Sequence, residues 1–554
     1  MASDTTQFRA VDPEASRRYH AAGWWGDLTV GQLVDQLAAT RGDRPAFITP
    51  DHQLSWAGYR RSADRLAGAL VDAGLPAGER VAVLVPDGPT LHTALVATER
   101  AGLVAVGLGG RAGEREIHHL VQRTGATALV TPAQHRDEDA AELFARLQAA
   151  VPAVSRHVVV PAFEAAPDGD ITVDGDPVGP AGPATATDRL SDRLAGRGLG
   201  PDDLFMINST SGTTGLPKCV MHTQNQKLYM ARLAVECGVL GPDEIIMGAA
   251  PAPFGFGMFT THYLPVLLGA PCVTMPRFTA EGCLELLERE RATVFVCVST
   301  QFKMLLGSPD MLRRDLSSLR VMFTGGEMIP YEAARDFEDR TGATVLNFYG
   351  SNESGFATGT RTTDPREKRL RTAGSRLEGI ELRLYDNRRD VTDTGRGQPA
   401  SQGPTTCLGY VGDPEGNAEL FVDGDFILHA DIATIDDDGY LQIVGRTAEI
   451  IIRGGKNISA AAVEDAVSRH PAVRLAAAVP APDKLFGERV CVYVELHPGQ
   501  QLELAELVDL MASQGASKET LPEHLVVLDS LPRSSGGKVA KGALRQDAAE
   551  RFGG

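Results

Sequence analysis

The sequence predicts an α/β fold built on parallel sheets, followed by a small α+β domain. The first observation is that short apolar runs alternate with helical stretches from about residue 80 to about residue 385, as in 80–86 followed by 89–102. Strands that alternate with helices form parallel sheets covered on both faces. The second is that the pattern changes after Arg446, with a strand at 450–452, a helix over 460–470, strands near 475–479 and 490–496, and a helix from Leu502.

The amino-acid composition limits the classes of function that the chain can have. The chain has 554 residues, 43% of them apolar, and a formal net charge of -18, which argues against nucleic acid or an anionic membrane as the main partner. Seven cysteines are spread along the chain without a C-x-x-C pair, as is typical of a reducing compartment. The N-terminus lacks the pattern of a targeting segment, so we expect a cytoplasmic protein.

Helix and turn signals place the remaining segments. Thr29 is a candidate N-cap of a first helix that carries Val30, Leu33, Val34 and Leu37 at helical spacing. Residues 161–200 are rich in Pro, Gly and Ala, which predicts a surface connection. Residues 390–445 read as short strands separated by turn residues such as Asp423-Gly424.

The stretch from Ser209 to Lys218 follows an apolar run, 204–208, that predicts a buried strand. It combines hydroxyl side chains, two glycines and a lysine. Glycines let backbone N–H groups turn toward an anion, hydroxyls add donors, and the lysine supplies positive charge. The spacing is not that of the Walker pattern, so the loop predicts a phosphate site of another kind.

Further polar motifs follow other predicted strands. Thr324-Gly-Gly-Glu327 follows the strand 319–323, and the run from Asn347 to Glu353 follows 343–346. Ligands bind open α/β sheets at the carboxyl ends of their strands. A tyrosine beside glycines there can stack on a purine, and a glutamate can hold Mg²⁺. Asp431, Gly445-Arg446 and Ser535-Gly-Gly-Lys538 complete the set of motifs.

In this order and spacing the motifs resemble the adenylate-forming superfamily, which includes acyl-CoA synthetases, aryl-acid and amino-acid adenylation domains and firefly-type luciferases. The resemblance covers nearly the whole chain. It implies a large N-terminal domain, residues 1–447, made of parallel-sheet α/β subdomains plus a distorted β-barrel-like subdomain. A small mobile α+β domain, residues 448–554, would follow and carry the catalytic lysine. In their overall sequence pattern, the motifs are most similar to those of ligases for cyclohexanecarboxylate-type acids.

The resemblance also implies roles for individual residues. Lys538 would bridge the carboxylate and the α-phosphate, and Glu353 would associate with Mg²⁺ together with Thr213. Asp431 would bind the ribose hydroxyls and Arg446 would lie near the ribose. The other residues implied for ATP or AMP are Thr210, Ser211, Gly212, Thr213, Thr214, Gly215, Lys218, Gly325, Gly326, Glu327, Asn347, Tyr349, Gly350, Ser351 and Asn352.

Four positions depart from the family pattern. Cys219 follows the loop lysine where Gly is usual, and Asn352 replaces a Thr that contacts the α-phosphate. An amide still donates a hydrogen bond, so we expect adenylation to survive. His429-Ala430 precedes Asp431 in place of Thr-Gly, and the hinge position after Arg446 corresponds to Ala448.

The predicted reaction is activation of a carboxylic acid by ATP to acyl-AMP, with release of pyrophosphate, and transfer to a thiol. A carboxylate that attacks an α-phosphate brings two anions together, so the catalyst must neutralise and align them. Gly454 and Gly455 resemble the pair that lines the pantetheine tunnel, which favours coenzyme A. ATP, Mg²⁺ and coenzyme A are the implied cofactors. A free-standing carrier protein, a nitrogen nucleophile, and a non-catalytic nucleotide-binding protein are the alternatives.

The pocket motif, residues 252–257, limits which carboxylic acids the protein is expected to bind. Gly255 stands where amino-acid and hydroxybenzoate enzymes of the family place a polar anchor, so that anchor is missing here. Acid-binding residues are expected at Phe254, Gly255, Phe256, Ser299, Thr300 and Phe302. They predict an apolar pocket for an alicyclic, aromatic or medium-chain acid. We expect a monomer or homodimer without nucleic-acid or membrane partners.

Overall fold

The computed structural model describes residues 10–162, 170–178, 194, 196–210, 217–327, 329–446, 450–453, 456–514, 516–518, 520–533 and 539–553. The chain divides into two compact units. Unit 1 comprises the described residues of Met1–Thr210, Leu216–Leu382 and Ser401–Ile427. Unit 2 comprises those of Arg383–Ala400 and Leu428–Gly554.

Helices and strands alternate through the first 382 residues, as the sequence predicts. The helices up to residue 420 are α1 (Pro13–Ala21), α2 (Val30–Arg41), α3 (Trp56–Asp72), α4 (Pro89–Arg100), α5 (Glu114–Thr124), α6 (Ala140–Ala150), α7 (Gln224–Gly238), α8 (Gly255–Met258), α9 (Leu264–Leu268), α10 (Ala280–Arg289), α11 (Ser299–Gly307), α12 (Tyr331–Thr341), α13 (Arg366–Arg371) and α14 (Pro414–Leu420). A π-helical turn (Phe259–Tyr263) separates α8 from α9, and a 3₁₀ turn (Pro309–Leu312) follows α11.

The strands of the same region are mostly short and buried. They are β1 (Pro45–Ile48), β2 (Gln53–Ser55), β3 (Arg80–Val83), β4 (Val104–Gly107), β5 (Ala128–Pro132), β6 (Gln134–His135), β7 (Glu138–Asp139), β8 (Arg156–Val160), β9 (Thr172–Val173), β10 (Asp176–Pro177), β11 (Leu204–Ser209), β12 (Cys219–Thr223), β13 (Ile246–Gly248), β14 (Cys272–Val273), β15 (Val294–Val296), β16 (Val321–Gly325), β17 (Thr344–Ser351), β18 (Gly355–Gly359) and β19 (Ser375–Arg376).

Two large sheets form the framework of unit 1. One has the order β19-β18-β17-β16-β15-β13-β14-β1-β2, and its strands from β17 to β1 run parallel. The other has the order β10-β9-β8-β5-β3-β4-β11-β12, with β8 to β11 parallel. Parallel strands direct their carboxyl ends to one edge, so each sheet collects the loops that follow its strands at that edge.

The start of α2 explains how the sequence fixes a helix end. Thr29 is the N-cap, and its hydroxyl accepts from Gln32 N while the Gln32 side chain accepts from Thr29 N. Gln224 Oε1 accepts from Val30 N, and Glu99 Oε2 accepts from Gly31 N. Four side chains therefore satisfy N–H groups that an isolated helix leaves open. The predicted N-cap is confirmed, but α1 precedes this helix, so it is not the first.

From residue 381 onward the described strands pair mostly antiparallel. The strands, with the helices after residue 420, are β20 (Glu381–Asp386), β21 (Arg389–Asp390), β22 (Arg396–Gln402), β23 (Phe421–Val422), β24 (Phe426–Leu428), β25 (Asp431–Ile435), β26 (Leu441–Arg446), β27 (Ile450–Arg453), β28 (Lys456–Ser459), α15 (Ala460–Val467), β29 (Val473–Asp483), β30 (Gly487–Leu496), α16 (Leu504–Ser513), β31 (His524–Val527) and α17 (Lys541–Phe552), with a 3₁₀ turn at Thr392–Thr394.

Unit 2 contains a sheet in the order β28-β27-β30-β29, with β31 parallel to β30. The sequence predicts fewer elements for this region: it does not separate β28, and it omits β31 and α17. Strands β20 to β22 and β25 to β26 supply most of the unit's residues before 447. The boundary at residue 447 stays a prediction, because the compact units follow packing rather than chain position. Among the described residues, no helix is long and apolar enough to cross a membrane.

Candidate active site

The carboxyl edge of the nine-stranded sheet gathers most of the motifs singled out in the sequence. Gly325 ends β16 and leads to Gly326 and Glu327, while the pocket motif follows β13 and Ser299 follows β15. Gly326 has a φ of +80°, a conformation that glycine adopts readily. The expected position of these residues, at the carboxyl ends of parallel strands, is confirmed.

Strand β17 runs further than the sequence indicates, because antiparallel β18 pairs with its final residues. Tyr349 lies opposite Thr358, and Ser351 lies opposite Gly355. Tyr349 is half-buried in the strand rather than in a loop. A side chain on Gly350 would collide with the Gly355 carbonyl oxygen, since a Cβ there would lie 1.8 Å from it. Glycine at position 350 therefore permits the pairing that holds Tyr349.

The turn of residues 351–355, which we call the nucleotide turn, is fixed by short polar contacts. The Ser351 hydroxyl accepts from Ser354 N at 3.1 Å and from Glu353 N at 3.2 Å. The Thr405 hydroxyl donates to the Ser354 carbonyl at 2.6 Å. Gly355 closes the turn with a φ of +66°. These contacts hold the backbone at Asn352 and Glu353 in one conformation.

Glu353 is oriented by a tyrosine that the sequence analysis does not single out. The Tyr410 hydroxyl donates to Glu353 Oε1 at 2.7 Å, and Lys218 Nζ lies 4.6 Å from the centre of the Tyr410 ring. Burial, followed by the Glu353 charge, raises the pKa of Tyr410. A protonated tyrosine thus links the predicted Mg²⁺-associated glutamate with the lysine at the end of the phosphate loop.

The described ends of the phosphate loop are held together. Thr210 N donates to the Lys218 carbonyl at 3.1 Å, and Lys218 N donates to the Thr210 hydroxyl at 3.3 Å. The strands on either side, β11 and β12, pair antiparallel with Ser209 opposite Cys219. Ser211, Gly212, Thr213, Thr214 and Gly215 lie outside the described residues.

Asn352 forms a reciprocal amide pair with Asn208. Asn352 Nδ2 donates to Asn208 Oδ1 at 2.8 Å, and Asn208 Nδ2 donates to Asn352 Oδ1 at 3.1 Å. Asn208 Nδ2 also lies 3.2 Å from the carbonyl oxygen of Pro253, in the pocket motif. The residue that replaces the usual Thr is therefore connected to the expected acid site as well as to the nucleotide turn.

A buried cation lies behind the nucleotide turn. Lys227, on α7, is only 3% exposed, and its Nζ donates to the Asn352 carbonyl at 3.2 Å. Burial lowers the pKa of Lys227 to about 8, although the charges of Cys407 and Glu353 act in the opposite direction. Burial, with a smaller effect of Lys227, also lowers the pKa of His222 well below its ordinary value. The positive charge of Lys227 thus lies on the side of the nucleotide turn that faces the protein interior.

The pocket motif is apolar and packs by ring contacts. Phe254, Gly255 and Phe256 are half-buried, and the Phe256 ring lies 5.8 Å from that of Phe259 and 6.1 Å from that of Phe356. A Cβ on Gly255 would lie 3.0 Å from Asn352 Oδ1. The absence of a side chain at residue 255 therefore also leaves room for the amide of Asn352.

The acid-binding residues predicted on α11 differ in their burial and in their contacts. Ser299 is buried, and its hydroxyl has no hydrogen-bond partner among the described residues, while Thr300 is half-buried. Phe302 is fully buried against Phe337, with ring centroids 6.1 Å apart, in a core cluster separate from that of Phe256. The structure therefore does not bring Phe302 together with the pocket motif, because α11 turns this side chain toward the core.

In unit 2, Asp431 opens β25 and lies opposite Arg446 at the end of β26. Asp431 is half-buried. The hairpin makes the two positions predicted near a ribose neighbours in the backbone ladder, and their roles at the ribose stay predictions. Gly454, Gly455, Lys538 and the hinge position Ala448 lie outside the described residues.

The residues present fit a nucleotide that brings a divalent cation with it. In the part of the chain that the structure describes, no group of three or more His, Cys, Asp or Glu side chains could hold a metal ion. Mg²⁺ that accompanies ATP commonly needs only one or two protein carboxylates, with water and phosphate oxygens as further ligands. The Glu353 carboxylate suits that role, and Thr210 and Lys218 are the described residues of the loop that would supply donors for phosphate oxygens.

Sequence reasoning missed four residues of this site: Asn208, Lys227, His222 and Tyr410. Asn208 had a signal, since it is a polar residue within a run that otherwise reads as a buried strand. Tyr410 had none, because backbone contacts with the distant strand β12, including the bridge between Val220 and Tyr410, bring it to the site. Lys227 resembles any polar residue of a helix until its burial is known.

Comparison with known proteins gives a consistent result. Residues 34–411 match the family described as AMP-binding enzyme, and residues 462–538 match the AMP-binding enzyme C-terminal domain. The chain is 31% identical over 552 residues to a medium-chain fatty-acid–CoA ligase of Escherichia coli, covering 96% of this chain and 93% of that protein. It is 30% identical to a salicylyl-CoA synthase / salicylate adenylyltransferase of a Streptomyces species, covering 96% of each.

Solved structures are similar over nearly the whole chain. ATP-bound MatB from Rhodopseudomonas palustris has a TM-score of 0.79 and 25% identity, covering 95% of this chain and all of that one. The amide bond synthetase McbA from Marinactinospora thermotolerans has a TM-score of 0.77 and 25% identity, covering 93% and 99%. An anthranilate CoA ligase in complex with anthranoyl-AMP has a TM-score of 0.81, 22% identity and coverage of 94% and 97%, a likeness of fold alone.

Proposed function

Because the chain belongs to the family of AMP-binding enzymes, we propose that it activates an apolar carboxylic acid with ATP to acyl-AMP and pyrophosphate. The acyl group then passes to the thiol of coenzyme A. The observation that carries the proposal is the contact of Glu353 with Tyr410 and of Tyr410 with Lys218, beside the phosphate loop. It joins a carboxylate, a phenol and a cation that three distant parts of the sequence supply.

The reaction needs charge neutralisation and alignment rather than a new chemical group. The acid's carboxylate attacks the α-phosphate, so two anions must approach each other while pyrophosphate leaves. Lys218 and the phosphate loop restrain the leaving pyrophosphate, and Lys538 bridges the carboxylate and the α-phosphate. Bound Mg²⁺ supplies positive charge to the phosphate oxygens. The Asn352 amide has two N–H donors, and its pair with Asn208 uses one of them, so the other is left for a phosphate oxygen.

The class of carboxylic acid is inferred from the pocket motif, which lacks a polar anchor. Phe254 and Phe256 offer apolar surface, and Gly255 offers no polar anchor. The relatives named as medium-chain fatty-acid–CoA ligase and as indoleacetate–CoA ligase carry the names of acids with large apolar parts, which supports an aromatic, alicyclic or medium-chain acid. Ser299, whose buried hydroxyl has no partner in the part of the chain that the structure describes, is the candidate to contact a polar atom of the acid.

Coenzyme A is the proposed acceptor, since Gly454 and Gly455 match the family's tunnel motif and several relatives are named CoA ligases. The amide bond synthetase among the similar structures supports a second candidate, transfer to a nitrogen nucleophile. A carrier-protein thiol is the third acceptor. For location, we propose the cytoplasm, where ATP and coenzyme A are available.

The test is pyrophosphate release from ATP measured with a panel of carboxylic acids, each with and without coenzyme A. We expect acid-dependent pyrophosphate release and AMP release that increases with coenzyme A. AMP release that ignores coenzyme A but responds to an amine or a carrier protein would favour the other acceptors. Absence of pyrophosphate release or exchange with every acid would contradict the proposal.

Lys538→Ala separates the two half-reactions. We expect it to reduce adenylation by at least about 10²-fold, the usual cost of one well-placed donor, while thioester formation from pre-made acyl-AMP is spared. Lys484→Ala, which removes an exposed lysine of unit 2, is the control and should retain both half-reactions. Equal loss of both half-reactions in Lys538→Ala would contradict the role assigned to this lysine.

A further inference from the structure

Lys227 is a buried charged side chain of unit 1 that the proposed reaction leaves unexplained. It lies on the first turn of α7, the helix that begins directly after β12. Its side chain is 3% exposed, and Nζ donates to the main-chain carbonyl of Asn352 at 3.2 Å. A lysine this deeply buried cannot reach a substrate, so any role in the reaction must act through the residues that it touches.

Stability alone does not account for a lysine at this position. Removing an ammonium group from water is costly, and burial lowers the pKa of Lys227 to about 8. The titratable groups that face it are Glu353 in the nucleotide turn, Cys407 in the segment next to it, and His222 on β12. A methionine would fill a similar volume without that cost. The fold thus retains a charge that a neutral side chain could replace.

Lys227 contacts Asn352, the residue through which the nucleotide turn is connected to the pocket motif. Asn352 is bound through its carbonyl to Lys227 and through its amide to Asn208. Asn208 in turn donates to the carbonyl of Pro253, in the pocket motif. One chain of hydrogen bonds therefore runs from α7 through the nucleotide turn to the loop that precedes the expected acid site.

We propose that Lys227 is a positioning residue for acid activation. Its ammonium holds the Asn352–Glu353 peptide, so that the Asn352 amide and the Glu353 carboxylate face the reacting phosphate together. This inference rests on the proposed function and extends it to a residue that does not touch substrate. A displacement of about 1 Å at reacting groups can cost on the order of 10²-fold in rate, which gives such a contact its importance.

The test compares the half-reactions of Lys227→Met with those of the wild-type enzyme. We expect acid-dependent pyrophosphate release at saturating ATP and acid to fall about 10- to 100-fold, with much smaller changes in the KM values. Thioester formation from pre-made acyl-AMP should change by less than about 3-fold, since that step no longer needs the phosphate aligned. The thermal midpoint should stay level or rise, because the buried charge is gone.

Two further variants make the result specific. Lys227→Gln keeps an N–H donor without the charge and should recover part of the lost adenylation. Arg232→Met is the matched control: Arg232 lies on the same helix and also donates to main-chain carbonyls, those of Gly23 and Trp24, away from the nucleotide turn. It should lower the thermal midpoint slightly and leave adenylation per folded molecule unchanged.

Each contrary outcome has one meaning. Unchanged adenylation in folded Lys227→Met, or equal loss in both half-reactions, would overturn the positioning role. So would a loss of activity that only follows a fall in the thermal midpoint. A wild-type enzyme that releases no pyrophosphate with any acid would overturn the proposed function itself, so the two failures are distinguishable.

Discussion

The nucleotide turn and the pocket motif are neighbours in unit 1, but they are built in opposite ways. The turn is fixed by a hydrogen bond that the Ser351 hydroxyl accepts and by hydrogen bonds that Thr405 and Lys227 donate. The pocket motif is fixed by the packing of Phe256 against other rings. Fixed dipoles stabilise a transition state only if they do not move, whereas an apolar surface tolerates changes of shape. We therefore expect the turn to control the rate and the motif to control the choice of acid.

The largest effect should come from the turn itself. Glu353→Gln removes the carboxylate that Tyr410 orients, and we expect adenylation to fall about 10²- to 10³-fold. Steady-state pyrophosphate release at saturating ATP and acid measures it. Glu415→Gln, at an exposed position of α14, is the control and should be active. Retention of most adenylation by Glu353→Gln would remove the distinction between the two regions.

A smaller effect should reveal where the two regions are coupled. Gly255→Ala places a Cβ 3.0 Å from Asn352 Oδ1, so the amide must shift, and we expect about a 10-fold loss of adenylation. Combining it with Asn352→Thr, whose side chain is shorter, should cost less than the sum of the two single changes. A double-mutant cycle with coupling of about 0.5–3 kcal/mol is the expected result.

The control for this cycle is Gly241→Ala, at a glycine with no atom within 4 Å of an added Cβ. It should leave adenylation unchanged, alone and combined with Asn352→Thr. Strict additivity of Gly255→Ala and Asn352→Thr would mean that the pocket motif and the turn act independently.

The smallest effect concerns a buried carboxylate with a structural role. Burial raises the pKa of Glu99, which accepts from Gly31 N at the start of α2. A carboxyl whose pKa is raised in the folded state adds stability below its ordinary pKa of 4.5, and that stability is lost as pH rises through the raised value. Glu99→Gln should therefore have the higher thermal midpoint at pH 7, and the difference should vanish near pH 4.

Thermal unfolding measured between pH 4 and pH 8 tests this prediction, with adenylation assayed beside it. Glu142→Gln, at an exposed position of α6, should show no such pH dependence. A midpoint difference for Glu99→Gln that stays constant with pH would mean that the carboxyl is not protonated more readily in the folded state. Loss of adenylation at an unchanged midpoint would give Glu99 a role in the reaction.

Local signals were sufficient for much of the fold. The apolar run 204–208 predicted β11, and Thr29 as N-cap predicted the start of α2. These predictions hold because strand burial and helix capping depend on residues close in the chain. The predicted end of β17 was wrong, since the point where this strand ends depends on its pairing with β18. The side-chain direction of Phe302 likewise depends on packing against Phe337, which no local pattern contains.

The sequence by itself determined the order of the motifs, and hence the family and the expected chemistry of Glu353, Asp431 and Lys538. Only the tertiary structure decided what supports them. Tyr410 reaches Glu353 from 57 positions away, and Lys227 reaches Asn352 from 125 positions away. A motif records which groups the reaction needs, because those groups follow the substrate. The residues that hold them in place follow the packing of distant segments, and that is known only once the chain is folded.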